Sequence, residues 1–177
     1  MILDEYLTDN IVRLQTLDPE RISPKYLQWL SDPLVNQYLE IRHNVPGSLR
    51  DLRDFVRSVN ASDNTLMLGI FASGDNLHIG NIKVGPIDWI HRRADIGFLI
   101  GDKQFWGQGI ATASIKLLTQ HCISNLGLKK LTAGCYEPNV GSYRALEKSG
   151  FVVEGKLRSH SEFNGERTDV LLLGYMH

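Results

Sequence analysis

Residues 104–111 read Gln104-Phe105-Trp106-Gly107-Gln108-Gly109-Ile110-Ala111. The two glycines stand between a mostly apolar run, Ala94–Ile100, and the longest helical pattern of the chain, Ile110–Leu126. Glycine in such a loop lets backbone N–H groups come close to an anion. The helix behind it adds unpaired N–H donors and the positive end of its dipole. The stretch predicts a phosphate cradle that needs no basic side chain. It is not a P-loop, because Ile110-Ala111 follow where Lys-Ser/Thr is required. Nor is it the dinucleotide fingerprint, which needs three spaced glycines behind the first strand of a parallel sheet.

Upstream, Thr65–Ala72, His78–Val84 and Ala94–Ile100 are short, largely apolar runs. Ser73-Gly74-Asp75-Asn76 reads as a turn between the first two, and an extension of the second to Trp89 stays open. Short connections predict an antiparallel meander. Residues 10–17 predict a first strand. Ser23-Pro24 reads as an N-cap and first helical residue ahead of Lys25–Leu30. Asp32-Pro33 starts a second helix with Val35, Tyr38 and Leu39 on one face, and Ser48 caps a third, Leu49–Val59, whose apolar side is Leu52, Phe55, Val56 and Val59.

Downstream of the cradle helix, which Gly127 ends, Lys130–Tyr136 predicts a strand and Asn139–Ser149 a helix stopped by Gly150. Phe151–Phe163 and Thr168–Tyr175 predict a hairpin about Asn164-Gly165. Antiparallel strands followed by a strand–helix–strand unit predict an α/β (α+β mixed) sheet with helices on its faces. No linker or repeat divides the 177 residues, so one domain over 1–177 is expected.

Nineteen Lys and Arg against twenty Asp and Glu give a net charge of −1. That lacks the basic excess of a nucleic-acid coat. Cys122 and Cys135 make neither a disulfide framework nor a cysteine zinc site, and no metal is expected. The N-terminus has no basic-then-apolar leader and no run approaches a membrane span, so a cytoplasmic protein is expected.

The cradle resembles motif A of the GNAT acetyltransferases, Gln/Arg-x-x-Gly-x-Gly/Ala. Asn139-Val140-Gly141-Ser142 with Glu147-Lys148-Ser149-Gly150-Phe151 resembles the Asn-x-x-Ser…Glu-Lys-x-Gly-Phe block of the RimJ/RimL-like branch. Tyr26-Leu27, Trp29-Leu30, Asp32-Pro33 and Glu154-Gly155 also fit that branch, so the resemblance covers nearly the whole chain in motif order. It implies a GNAT-type, largely antiparallel central sheet with helices on both faces and a splayed strand pair that binds acyl-CoA. It also implies transfer of an acetyl group from acetyl-CoA to a primary amine by direct attack in a ternary complex. The acceptor would be a protein N-terminal amine or a small-molecule amine such as a nucleotide-linked amino sugar. An acyl-CoA sensor or inactive domain without turnover is the alternative, and a homodimer stays open.

The resemblance assigns roles by position. Gly107, Gln108, Gly109, Ile110 and Ala111 would hold the pyrophosphate through backbone amides, with Gln104 supporting the loop. Trp106 would pack on the cofactor or anchor the loop. Leu99 and Ile100 would offer backbone groups to the pantetheine arm, as an added strand does. Asn139 would bond that arm near the sulfur or cap its helix. Ser142 matches the residue that protonates the departing thiolate, and Leu146 stands where many relatives carry a tyrosine acid. Asp95 and Glu137 are the candidate bases, with His91 and His160 behind them. Trp29, Tyr38, Arg42, Asn81 and His160 mark the expected acceptor pocket.

Overall fold

A computed structural model describes residues 1–74 and 76–177. Asp75, in the expected Ser73–Asn76 turn, lies outside the described residues. The strands are β1 (Leu7–Thr8), β2 (Val12–Thr16), β3 (Leu66–Ala72), β4 (His78–Val84), β5 (Arg93–Ile100), β6 (Lys130–Tyr136), β7 (Val152–Phe163) and β8 (Glu166–Met176). They form one sheet in the order β1-β2-β3-β4-β5-β6-β8-β7. Neighbours pair antiparallel except β5 and β6, which are parallel and joined through a helix, as parallel strands require.

The helices are α1 (Pro24–Ser31), α2 (Pro33–Asn36), α3 (Leu49–Asn60), α4 (Ile110–Ser124) and α5 (Val140–Lys148). Alternation along the strands divides the core in two. Leu66, Leu68 and Ile70 of β3 and Ala94 and Ile96 of β5 face Ile115, Leu118 and Cys122 of α4 and Leu146 of α5. Met67 faces the other way, into a cluster with Tyr26, Trp29 and Leu30 of α1 and Leu52 and Val56 of α3. Helices therefore cover both faces. Burial pushes the Cys122 thiol up to about 12, which leaves it a packing residue.

Several elements differ from the sequence reading. β1 was not expected; two residues carry no periodicity. α2 is a single turn, so Tyr38 and Leu39 lie beyond it, and Leu39 is extended. β4 stops at Val84, because Gly85 takes φ +131° and Pro86 has no N–H for a ladder. Phe55 of α3 is 46% exposed rather than core. The Asn164-Gly165 turn is as expected, with φ of 53° and 79°, the paired positive values of a type I′ hairpin.

Gly101, just past β5, fixes how α1 meets the strand end. A Cβ there would sit 2.0 Å from Cδ2 of Trp29, so the indole lies directly on the glycine. Lys103 then reaches back to Asp32 at 2.6 Å, and that bond holds the Asp32 carboxyl below the usual range. Gly101→Ala should cost about 1–3 kcal/mol through overpacking. Urea unfolding followed by tryptophan fluorescence reads this; an unchanged midpoint would show that the ring has room to move.

Candidate active site

β5 and β6 are paired only at Arg93–Lys130, Ala94–Leu131 and Asp95–Thr132. Beyond that the strands diverge. Gly101 N–H bonds the Ile79 carbonyl and Gly85 N–H bonds the Asp95 carbonyl, both at 2.9 Å. By antiparallel alternation, the odd-numbered residues of β5 therefore turn their backbone toward β4. Leu99 is one of these, so its backbone belongs to the β4 ladder. Phe98 and Ile100 instead turn theirs toward the gap. A cavity of about 540 Å³ fills that gap, walled by Phe98, Ile100, residues 105–107 and 109–112 and the start of α5.

The expected cradle closes one end of this cavity. Gly107 and Gly109 take φ of 75° and 81°, a region that L side chains rarely adopt, and a Cβ on either would point into open space. The strain, not crowding, calls for glycine here. Gly109 is the N-cap of α4 and offers no side-chain bond. The other four helices are capped by Ser23, Asp32, Ser48 and Asn139. The amides of Ile110, Ala111 and Thr112 at the start of α4 thus lack a side-chain acceptor, and all three residues line the cavity.

Two side chains brace the loop. Trp106 donates from Nε1 to the Ile100 carbonyl at 2.8 Å while its ring, 44% exposed, lines the cavity. Gln108 donates from Nε2 to the Gln104 carbonyl at 2.6 Å. Gln104 takes part through its backbone carbonyl, and neither it nor Gln108 lines the cavity.

Across the gap, Asn139 accepts from the Ser142 amide at 3.2 Å and so caps α5. Asn139 and half-buried Ser142 both line the cavity. Leu146 is 1% exposed and belongs to the core. Tyr143 donates instead to Glu147 at 3.0 Å, which raises its phenol pKa. Arg144 and Lys148, which the sequence reading passed over, bring positive charge to the rim. Only helical phase relative to the cradle would have marked them.

The expected acceptor and base residues separate. Trp29, 7% exposed, is core. Asp95 accepts from Thr132 at the paired end of the strands, and Glu137 is held by Lys156 at 2.8 Å. Neither lines the cleft or the two cavities beside it, and His160, on an irregular stretch of β7, does not either. Tyr38 lines the cleft and stacks on Phe163, with centroids 4.9 Å apart. Arg42 donates to the Tyr136 hydroxyl at 2.9 Å, and that hydroxyl donates to Glu40 at 2.7 Å. Glu40 and Arg42 line a neighbouring cavity of about 640 Å³. Asn81 lines a third, of about 560 Å³, on the α1–α3 face. Glu40 borders both, yet nothing in its sequence neighbourhood singles it out.

Comparison with known proteins agrees with this geometry. A family profile described as an acetyltransferase (GNAT) domain matches residues 12–152. "Probable N-acetyltransferase YjcK" of Bacillus subtilis (strain 168) is 29% identical over 136 residues, 76% of this chain and 74% of that protein. The ribosomal-protein-serine acetyltransferase of Escherichia coli (strain K12) is 29% identical over 94 residues, 53% of this chain and 52% of that protein. Among solved structures, RimL, a ribosomal L7/L12 alpha-N-protein acetyltransferase in complex with coenzyme A, superposes with a TM-score of 0.83. It is 24% identical and covers 97% of this chain and 98% of its own.

Gly109→Val would strain the cap and put a branched Cβ into the cradle. Calorimetric titration with coenzyme A should show at least about tenfold weaker binding, since several charge-assisted amide bonds are lost together. An unchanged affinity would place the phosphates elsewhere.

Proposed function

The chain belongs to the GNAT acetyltransferase family, on its RimJ/RimL-like branch, and on that ground we propose that it moves the acetyl group of acetyl-CoA to a primary amine in a ternary complex. The observation that carries this reading is the α4 N-terminus without a side-chain cap, at the mouth of a strand pair that parts after three residue pairs. A pyrophosphate supplies the acceptors that those amides lack. The pantetheine arm runs between Phe98–Ile100 and Asn139–Ser142, where an extended amide chain finds strand-like partners.

Acetyl-CoA supplies the activated thioester. The chain's own task is to place the amine, take its proton and return one to the thiolate. An alkyl ammonium has a pKa near ~10, so it must lose a proton before it attacks. Asp95 and Glu137 lie away from the cleft. Glu40 borders both neighbouring cavities and, in this reading, receives that proton through water. An amide N–H of Phe98 or Ile100, turned toward the gap, stabilises the carbonyl oxygen as charge develops. Ser142 stands in the first turn of α5, where the helix dipole also favours a thiolate; it passes its hydroxyl proton to the sulfur, and water relays the second proton of the attacking amine back to its oxygen. The acceptor class is a protein N-terminal amine or a small-molecule amine.

Release of free thiol from acetyl-CoA across short peptides and small amines tests transfer directly. Binding of acetyl-CoA with no release for any amine would favour a sensor. Ser142→Ala should slow single-turnover transfer by about 10- to 100-fold and leave acetyl-CoA affinity within about twofold. Equal transfer rates would remove Ser142 from the mechanism.

A further inference from the structure

On the α1–α3 face of the sheet, the cavity of about 560 Å³ shares Leu39, Phe98 and Leu99 with the cofactor cleft as walls. Its lining is mainly apolar, including Leu30, Ile41, Leu52, Phe55 and Met67. One polar side chain on this lining stands apart. Asn81 is 5% exposed, and its Nδ2 has no hydrogen-bond partner among the described residues. A buried amide donor left without a partner is costly, so such a group in a cavity wall points to something that enters the cavity.

That amide has His78 as its neighbour. His78 Nε2 lies 3.0 Å from Asn81 Oδ1. The His78 ring is stacked on Phe71 with centroids 5.0 Å apart, and it meets Tyr26 and Trp29 edge-on at 5.9 and 5.1 Å. Burial in this aromatic cage lowers the imidazole pKa and keeps the ring neutral at pH 7. In the tautomer with its proton on Nε2, the neutral imidazole donates to the Asn81 oxygen. That tautomer occupies the Asn81 oxygen and leaves the NH₂ over.

We infer that Asn81, held by His78, is a specificity-determining donor for the acceptor. The class it selects is an amine with an apolar body and a hydrogen-bond-accepting oxygen close to the amine, as in an N-terminal residue with an aliphatic side chain. This rests on the proposed transferase reading, because it assumes that the amine approaches the cleft from this face. A polyamine is the competing class, since its second ammonium would find Glu40 and Asp51 on this lining with Lys83 opposing them, and it offers Asn81 no oxygen to bond.

The test uses L-leucinamide and isopentylamine, which share the isobutyl body and differ in the carboxamide. Binding of each to the enzyme saturated with coenzyme A is measured by calorimetry, so no turnover is needed. The ratio of the two affinities is compared between the natural chain and Asn81→Leu, which cancels the difference in amine basicity. We expect the leucinamide preference to fall by about 3- to 10-fold in the variant, with coenzyme A affinity unchanged. His78→Phe, which keeps an aromatic ring in the cage, should lose part of the same preference by freeing the amide to turn. Thermal melts of both variants confirm that they fold; should Asn81→Leu fail to fold, Asn81→Ser takes its place. An unchanged ratio in a folded variant overturns the inference, as does spermidine binding more tightly than leucinamide regardless of Asn81. An Asn81-dependent preference without acetyl transfer would support the site while sinking the transferase reading.

Discussion

The parallel pairing of β5 and β6 ends after three residue pairs, and the active cleft exists because of it. Backbone N–H and C=O groups inside a protein must be paired, so two strands that part create an obligation as well as a space. One of the freed groups, the Ile100 carbonyl, is met by the Trp106 indole. The rest of that edge faces a cavity large enough for an extended arm. In the proposed reading such an arm joins the sheet as a temporary strand, so the cleft would need few dedicated side chains.

The phosphate end obeys the same logic. Side chains finish four helices, and α4 is begun by a glycine in a left-handed conformation. A Ser or Asp at that position would satisfy the helix and compete with an anion. Glycine leaves the donors available and keeps their approach clear of a Cβ. The surrounding loop is then stiffened from within by Gln108 on Gln104 and tied to the α1–α2 junction by Lys103 on Asp32. Those bonds hold the donors in place before any ligand arrives, which lowers the ordering cost of binding.

The side proposed for the acceptor is built differently. Tyr38 and Phe163 stack, Arg42 lies over the Tyr136 ring, and Glu40 takes the Tyr136 hydroxyl, so the segment after α2 is tied to the β7–β8 hairpin. These residues come from three distant parts of the chain. Their aromatic faces define walls, and the few polar groups among them set orientation. In the proposed reading, chemistry at the thioester is placed by backbone and selection of the amine by these side chains.

Much of this was legible in the residues themselves. Glycine at 107 and 109 before a long apolar helix carries its own physics, since positive φ and exposed amides are local properties. The meander, the Asn164-Gly165 hairpin, the caps at Ser23, Ser48 and Asn139, and the family all follow from such local patterns. What is not local was not legible. Trp29 has the look of a pocket residue and lies on Gly101 in the core. Asp95 and Glu137 sit near the cleft in sequence, yet Thr132 and Lys156 hold them outside it. Glu40, Tyr136 and the His78–Asn81 pair gain meaning only once separate segments meet. The sequence by itself determined where the chain turns, caps and exposes its backbone, because those depend on neighbours a few residues apart. Only the tertiary structure decided which side chains line the cleft and the cavities beside it, because that depends on how far two strands diverge and on what packs across the gap.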